Sequence, residues 1–146
     1  MSAVARTART VDGVDVRSID DLLGVLPDAD VVIVIVPLTS DTRGMVDAAF
    51  LSRIHDGALL VNVSRGPVVD SDALLAECAA GRLRAALDVT DPEPLPADHP
   101  LWRTPGVLIS PHVGGNTSAF LPRARRLVAD QLRRWESGEP LANVVV

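Results

Sequence analysis

Cysteine is nearly absent from this chain of 146 residues; Cys78 is its single thiol. No internal disulfide can form, and a thiolate metal cluster is excluded, so no metal site is expected. Tyrosine is missing altogether, and Phe50, Phe120, Trp102 and Trp135 complete the aromatic set. That scarcity argues against a surface that stacks RNA bases. It also leaves the core to aliphatic side chains, as in a Val/Ile/Leu-rich parallel sheet. Positive charge is in deficit, with a formal net charge of -5, so nothing favours a nucleic-acid backbone as partner. The one basic run, Arg123, Arg125, Arg126, Arg133 and Arg134, reads as the solvated face of a helix. Long hydrophobic runs are lacking too: Val31 to Val36 is the longest and has strand length. With no signal-peptide pattern, the expectation is a cytoplasmic protein with no membrane partner.

What is present is an aliphatic chain divided into blocks. Apolar residues make up 47% and charged residues 23%, the profile of a globular domain, and the length suits one domain. Ala3-Val4-Ala5 reads as a short strand, followed by Arg6, Thr7 and Arg9, whose side chains suit an anion. Ser18, with Asp21 completing a capping box, opens a short helix from Ile19 to Leu26 that stops at Pro27. Val31 to Val36, β-branched throughout, reads as a strand buried on both faces. Pro37-Leu38-Thr39 breaks it, and Met45 to Ile54 reads as a helix with Val46, Ala49, Phe50 and Ile54 on one side. Leu59 to Val63 is a further buried strand that runs into a turn, Ser64-Arg65-Gly66-Pro67, where Arg65 sits on a rigid element.

Asp70-Ser71-Asp72 caps the next helix, which runs to about Ala80, closes at Gly81 and carries Cys78 as a small buried residue. Ala85 to Val89 is a strand with Asp88 at its carboxyl end. The proline-rich stretch from Asp91 to Pro100 then makes a stiff loop that holds Glu93. Val107 to Ser110 is the last strand candidate and ends at Pro111-His112-Val113-Gly114-Gly115. A long helix capped by Thr117 or Ser118 runs to about Trp135, and an extended tail, Leu141 to Val146, closes the chain. Strands alternating with helices indicate an α/β fold built on a parallel sheet.

The strand ends carry the polar groups. In a parallel sheet Arg65, Asp88 with Glu93, and His112 all reach one edge, where ligands of open α/β sheets bind. An arginine there can clamp a carboxylate and polarise a carbonyl oxygen. A histidine can give or take a proton near neutral pH, and a glutamate beside it fixes its orientation and favours the imidazolium. Singly, each residue has an ordinary explanation: a surface arginine, a solvated glutamate, a loop histidine, an aspartate capping a turn. His99, between Asp98 and Pro100, reads as structural, and His55 as a residue at a helix end.

Four ordered motifs change that weighting. Pro37-Leu38-Thr39 with Thr42, the stretch Gly57 to Asp70, Ala86-Leu87-Asp88-Val89 with Glu93-Pro94-Leu95-Pro96, and Pro111-His112-Val113-Gly114-Gly115 resemble the D-isomer-specific 2-hydroxyacid dehydrogenases. The match extends to Gly138-Glu139-Pro140-Leu141-Ala142-Asn143-Val144-Val145. The resemblance implies a Rossmann-like parallel sheet with flanking helices and a long C-terminal helix. By it, Arg65, Glu93 and His112 are the catalytic residues. Pro37, Thr42, Val63, Ser64, Arg65, Asp88, His112, Gly114 and Gly115 line NAD or NADP, with Asp88 at the nicotinamide carboxamide. Where NAD-preferring members carry an acidic residue after the second strand, this chain has Arg6-Thr7-Ala8-Arg9, and Arg6 suits a 2′-phosphate.

The resemblance begins at the second strand of the family's coenzyme domain. The Gly-x-Gly-x-x-Gly loop that members carry just before this point, and a substrate-binding lobe before that, are not in the sequence. The expectation is a truncated dinucleotide-binding domain over residues 1–146, in which 117–146 form the C-terminal helix and tail. Its expected reaction is NAD(P)-dependent interconversion of a D-2-hydroxy acid and its 2-oxo acid, requiring the missing segment. The alternative is a catalytically incompetent α/β fragment that serves as an interaction or subunit-like module. Expected partners are the small acid substrate, a second copy as homodimer, or a polypeptide that supplies the missing segment.

Overall fold

The computed structural model describes residues 1–144. One compact unit runs from Met1 to His112 and a second begins at Val113. In the first unit, β1 (Ala3–Ala5) lies parallel to β3 (Val14–Ser18), and β2 (Arg9–Val11) closes on β3 as an antiparallel hairpin. The hairpin turns at Asp12 and Gly13, both with positive φ, the conformation of a tight two-residue turn.

Between β3 and β4 (Val31–Val34) the expected helix is broken into three pieces. A 3-10 turn at Ile19–Asp21 leads to one α-helical turn, α1 (Leu22–Val25), and a second 3-10 turn at Leu26–Asp28. Pro27 does not stop it, because proline is tolerated in the first positions of that last turn, where no N–H bond is required. Ser18 caps the segment, but its hydroxyl works with the amide and carboxylate of Asp20 rather than with Asp21.

A four-stranded parallel sheet forms the main layer, in the order β4, β5 (Leu59–Asn62), β6 (Arg84–Leu87), β7 (Val107–Ile109). Its crossovers carry α2 (Ala48–Leu51) and α3 (Ser71–Ala79). Asp70 caps α3, accepting from the amides of Asp72 and Ala73, each at 3.0 Å. Gly81 follows in the left-handed conformation that the end of a helix favours. Val34, Leu60, Ala85 and Leu87 point to the face that packs on Leu26, Phe50, Leu51, Leu74 and Cys78. Leu95 and Leu101 pin the proline-rich loop to the same core.

Two expectations are corrected. β4 is not buried on both faces: Val31, Ile33 and Ile35 are exposed, while Val34 is buried and Val32 packs on the core. The odd-numbered side chains share one face of the sheet, and that face is exposed at Leu108 of β7 as well; the strand also lies at the edge of the sheet. The helix expected over Met45 to Ile54 shrinks to α2. Val46 makes a parallel bridge to Val69, and Asp47 then caps the helix by accepting from Phe50 N at 2.8 Å. Those backbone groups are already committed before the helix starts.

The second unit holds α4 (Phe120–Ser137). Its N-cap is Ala119, without a side-chain bond, rather than Thr117 or Ser118. Gly138, at φ 72°, ends it, and the following chain folds back rather than trailing free. Ala142 exchanges hydrogen bonds with the side chain of Gln131. Arg133 and Arg134 of the basic run pair with Asp130. The last two residues of the expected tail, 145–146, lie outside the described residues.

Candidate active site

All four main strands run the same way, so the segments after β4, β5, β6 and β7 emerge at one edge of the sheet. A cleft of about 510 Å³ opens there, lined by Ile35, Val36, Pro37, Leu38, Val63, Ser64 and Arg65. It gathers Pro37, Val63, Ser64 and Arg65, which sequence motifs had singled out from two separate stretches. Thr42 folds back beneath this loop: its hydroxyl donates to Pro37 O at 2.6 Å and accepts from Thr39 N at 2.8 Å. It staples the turn after β4.

Asn62, the last residue of β5, shapes the turn that presents Arg65. It is almost wholly buried, and its Oδ1 accepts from Ser64 N at 3.0 Å and from Ser64 Oγ at 2.7 Å. Its Nδ2 donates to Arg65 O at 3.3 Å. Arg65 leaves this turn extended and donates from Nη1 to Ser64 O at 2.6 Å. Gly66 follows, and a Cβ there would lie 1.8 Å from Thr90 O. Only glycine lets the arginine turn touch the backbone that leads from Asp88 to Glu93. Neither Asn62 nor the close approach at Gly66 was anticipated as part of the site. The available signal for Asn62 was one amide inside an otherwise apolar strand.

The ends of β6 and β7 are joined by two side-chain pairs. Ser110 Oγ donates to Asp88 Oδ1 at 2.6 Å, beside the backbone bond from Ser110 N to Leu87 O at 2.8 Å. His112 Nδ1 lies 2.7 Å from Glu93 Oε1. An ionised carboxylate only accepts, so the proton of this pair sits on Nδ1 and Nε2 is the ring nitrogen that faces exchange. Both side chains are near 40% exposed, and reagents can reach them. His112 holds φ at 53°, a left-handed conformation costly for a residue with a Cβ, and one that clusters at functional sites. Glu93 and His112 do not line the cleft that holds Arg65; they stand at the neighbouring strand ends of the same edge.

The remaining candidates are placed individually. Arg6 is exposed directly after β1, and Arg9 donates from Nη1 to Thr7 O. Gly114 and Gly115 lie in the turn that opens the second unit, where Asn116 N donates to Val113 O. His99 is structural as expected, capping the 3-10 turn at Pro100–Arg103 by accepting from Leu101 N. His55 lies beyond the end of α2; its Nδ1 meets Asp56 O and its Nε2 lies 3.5 Å from the Asp30 carboxylate. No group of three or more metal-ligating side chains occurs among the described residues.

Residues 1–114 match the model of the D-isomer specific 2-hydroxyacid dehydrogenase NAD-binding domain. The chain belongs to that family. It is 39% identical to a Corynebacterium melassecola protein from the proB 3′ region, over 98% of this chain and 48% of the relative. Among solved structures, it is similar to a D-isomer specific 2-hydroxyacid dehydrogenase from Xanthobacter autotrophicus Py2 in complex with NADPH. That match has 39% identity and a TM-score of 0.86, over 98% of this chain and 59% of the other. It is also similar to an NADPH-dependent glyoxylate/hydroxypyruvate reductase from Sinorhizobium meliloti, solved with NADP and sulfate. There the identity is 31% and the TM-score 0.85, over 97% of this chain and 46% of the other. The chain thus spans about half the length of these relatives. No helix of the described residues is long and apolar enough to cross a membrane.

Proposed function

We propose that this chain supplies the nicotinamide and substrate half of an NADP-dependent oxidoreductase that interconverts a D-2-hydroxy acid and its 2-oxo acid. The His112–Glu93 pair, held at 2.7 Å at the same sheet edge as Arg65, carries the reading. It unites a proton donor-acceptor, its orienting carboxylate and an anion clamp on rigid strand ends.

The residues fit a dinucleotide. Pro37 and Val63 offer apolar wall, Ser64 a hydroxyl, and Asp88, held by Ser110, a fixed carboxylate for a carboxamide. Gly114 and Gly115 stay coenzyme-binding candidates by their motif alone, and Thr42 holds the loop of Pro37 in shape. Arg6, exposed directly after β1, is the candidate for a 2′-phosphate, a role arginine takes where NADP is preferred. Bound coenzyme supplies the hydride donor or acceptor.

The chain's own residues do the rest. The guanidinium of Arg65 has one N–H bonded to Ser64 O and makes no other hydrogen bond within the described residues. It can take a substrate carboxylate in two-pronged fashion and draw charge from the adjacent carbonyl oxygen. His112 Nε2 gives a proton to that oxygen during reduction and removes it during oxidation. Glu93 holds Nδ1 and offsets the charge of the imidazolium.

The test is an oxidation assay with NADPH and NADH against glyoxylate, hydroxypyruvate and pyruvate. It uses this chain joined to the amino-terminal half of the Xanthobacter relative. NADPH oxidation by at least one of these acids is expected, with NADH poorer. No oxidation with any of them would overturn the reading. Arg6→Ser should narrow the preference for NADPH by about tenfold or more, the loss of a hydrogen bond to a charged group.

A further inference from the structure

We propose that Ser71, in the first turn of α3 and outside the cleft of Arg65, is a positioning residue for the His112–Glu93 pair, acting through the carbonyl of Asp91. The use of that pair in catalysis rests on the reading above. The tether itself stands on the hydrogen bonds of this chain, whatever reaction the pair serves.

Glu93 sits on a segment with little means of holding its own shape. Pro92, Pro94 and Pro96 have no N–H, and the amides of Asp91, Glu93 and Leu95 donate no hydrogen bond among the described residues. The segment is therefore fixed by what its carbonyls accept and by the burial of Leu95. On the far side of Glu93, Leu95 enters the core, and Pro96 O accepts from His99 N at 3.0 Å and from Trp102 Nε1 at 2.8 Å. On the near side, Thr90 Oγ1 donates to Pro92 O at 3.0 Å, a bond inside the segment. The hydrogen bond that reaches another element there comes from Ser71 Oγ, which donates to Asp91 O at 3.0 Å, 20 residues away in sequence. The close approach of Gly66 to Thr90 O sets how near the segment can lie, but such a contact resists compression far more than withdrawal.

The helix does not need this hydroxyl. Asp70 Oδ1 already caps α3 through Asp72 N and Ala73 N, the role a serine near a helix start often takes. Ser71 gives its one O–H to Asp91 O instead. It does so from a fixed backbone: Val46 N donates to Val68 O and Asp70 N donates to Val46 O, each at 3.0 Å. The stretch that leaves the turn of Arg65 is thus pinned to the core just before it reaches across to the segment of Glu93. At the end of this chain of contacts the Glu93 carboxylate meets His112 Nδ1 at 2.7 Å. A carboxylate held there selects the Nδ1–H tautomer and leaves Nε2 as the proton acceptor. A ring released from Glu93 takes up both neutral tautomers.

The test reads the ring nitrogens of His112 by NMR in the full 146-residue chain, at a pH where the ring is neutral, with the signals assigned through their loss in His112→Asn. In the parent chain the Nδ1–H tautomer is expected to dominate. Ser71→Ala should lower the ratio of Nδ1–H to Nε2–H about threefold or more, the effect of one lost hydrogen bond, while the amide signals of Leu60 and Leu87 stay in place. Ser71→Thr should keep the parent ratio, because Ser71 borders an open hollow of about 460 Å³ that admits the added methyl. In the joined enzyme, Ser71→Ala should lower kcat about threefold or more, with the KM for the 2-oxo acid, set at Arg65, nearly unchanged. An unchanged tautomer ratio in Ser71→Ala, the same fall in Ser71→Thr, or a loss confined to KM would overturn the proposal. A tautomer shift in Ser71→Ala with no NADPH oxidation by the parent enzyme supports the tether and counts against the proposed reaction.

Discussion

At the scale of single residues, the site depends on groups that touch no substrate. Asn62 is buried and satisfies the turn that carries Arg65. Asn62→Ala leaves Ser64 N and Oγ without their acceptor and should cost about 1–3 kcal/mol in urea unfolding. Gly66 abuts Thr90 O, so Gly66→Ala must push the arginine turn away from the loop that holds Glu93. A loss of about 1–3 kcal/mol is expected, as for other over-packed sites, with turnover falling further than stability explains. Cys78 tests burial rather than catalysis. Desolvation, with a smaller contribution from Glu77, pushes its thiol from 9.0 up to about 11. The unfolded chain therefore loses this proton first. The resulting stabilisation is present below pH 9.0 and lost as pH rises toward about 11. Cys78→Ala should flatten that part of the urea-midpoint profile, and an unchanged slope would contradict the assignment.

At the scale of elements, local patterns show where strands lie better than where helices end. Val31, Leu59, Ala85 and Val107 begin apolar blocks that become β4 to β7, because β-branched and aliphatic runs of this length suit little else. Asp70 was legible as a cap because its side chain needs only the amides two and three residues on, those of Asp72 and Ala73. The length of α2 was not, since the bridge from Val46 to Val69 is a contact between distant segments. Arg82 was likewise silent in the sequence. Its Nη1 donates to Ile54 O at 2.6 Å, its Nη2 to Leu51 O at 2.7 Å, and its Nε to Glu77. It ties the end of α2 to α3, and Arg82→Met should destabilise the unit by about 1.5–3 kcal/mol, as read by urea unfolding.

At the scale of the molecule, the sequence carried the α/β order and the four motifs that bring Arg65, Asp88, Glu93 and His112 to one edge. It did not show that β4 is an edge strand. A run of six β-branched residues looks the same whether its second face is covered or bare, since covering depends on segments outside the run. The bare apolar face, with Ile33, Ile35 and Leu108 exposed, has a physical consequence: the chain alone should self-associate through it as its concentration rises. Light scattering checks this, and a mass independent of concentration would contradict it.

In the proposed reaction this edge moves a proton at His112 while hydride passes to a 2-oxo acid. It is tested most directly with NADPH labelled with deuterium at its transferable position. The chain, assembled with the amino-terminal half of a relative, is given hydroxypyruvate, and the product is analysed for label and chirality. The account predicts deuterium at C2 of the D-hydroxy acid and a rate lowered about a hundredfold or more by His112→Asn. Product without deuterium at C2, product of the L configuration, or turnover indifferent to His112 would contradict it.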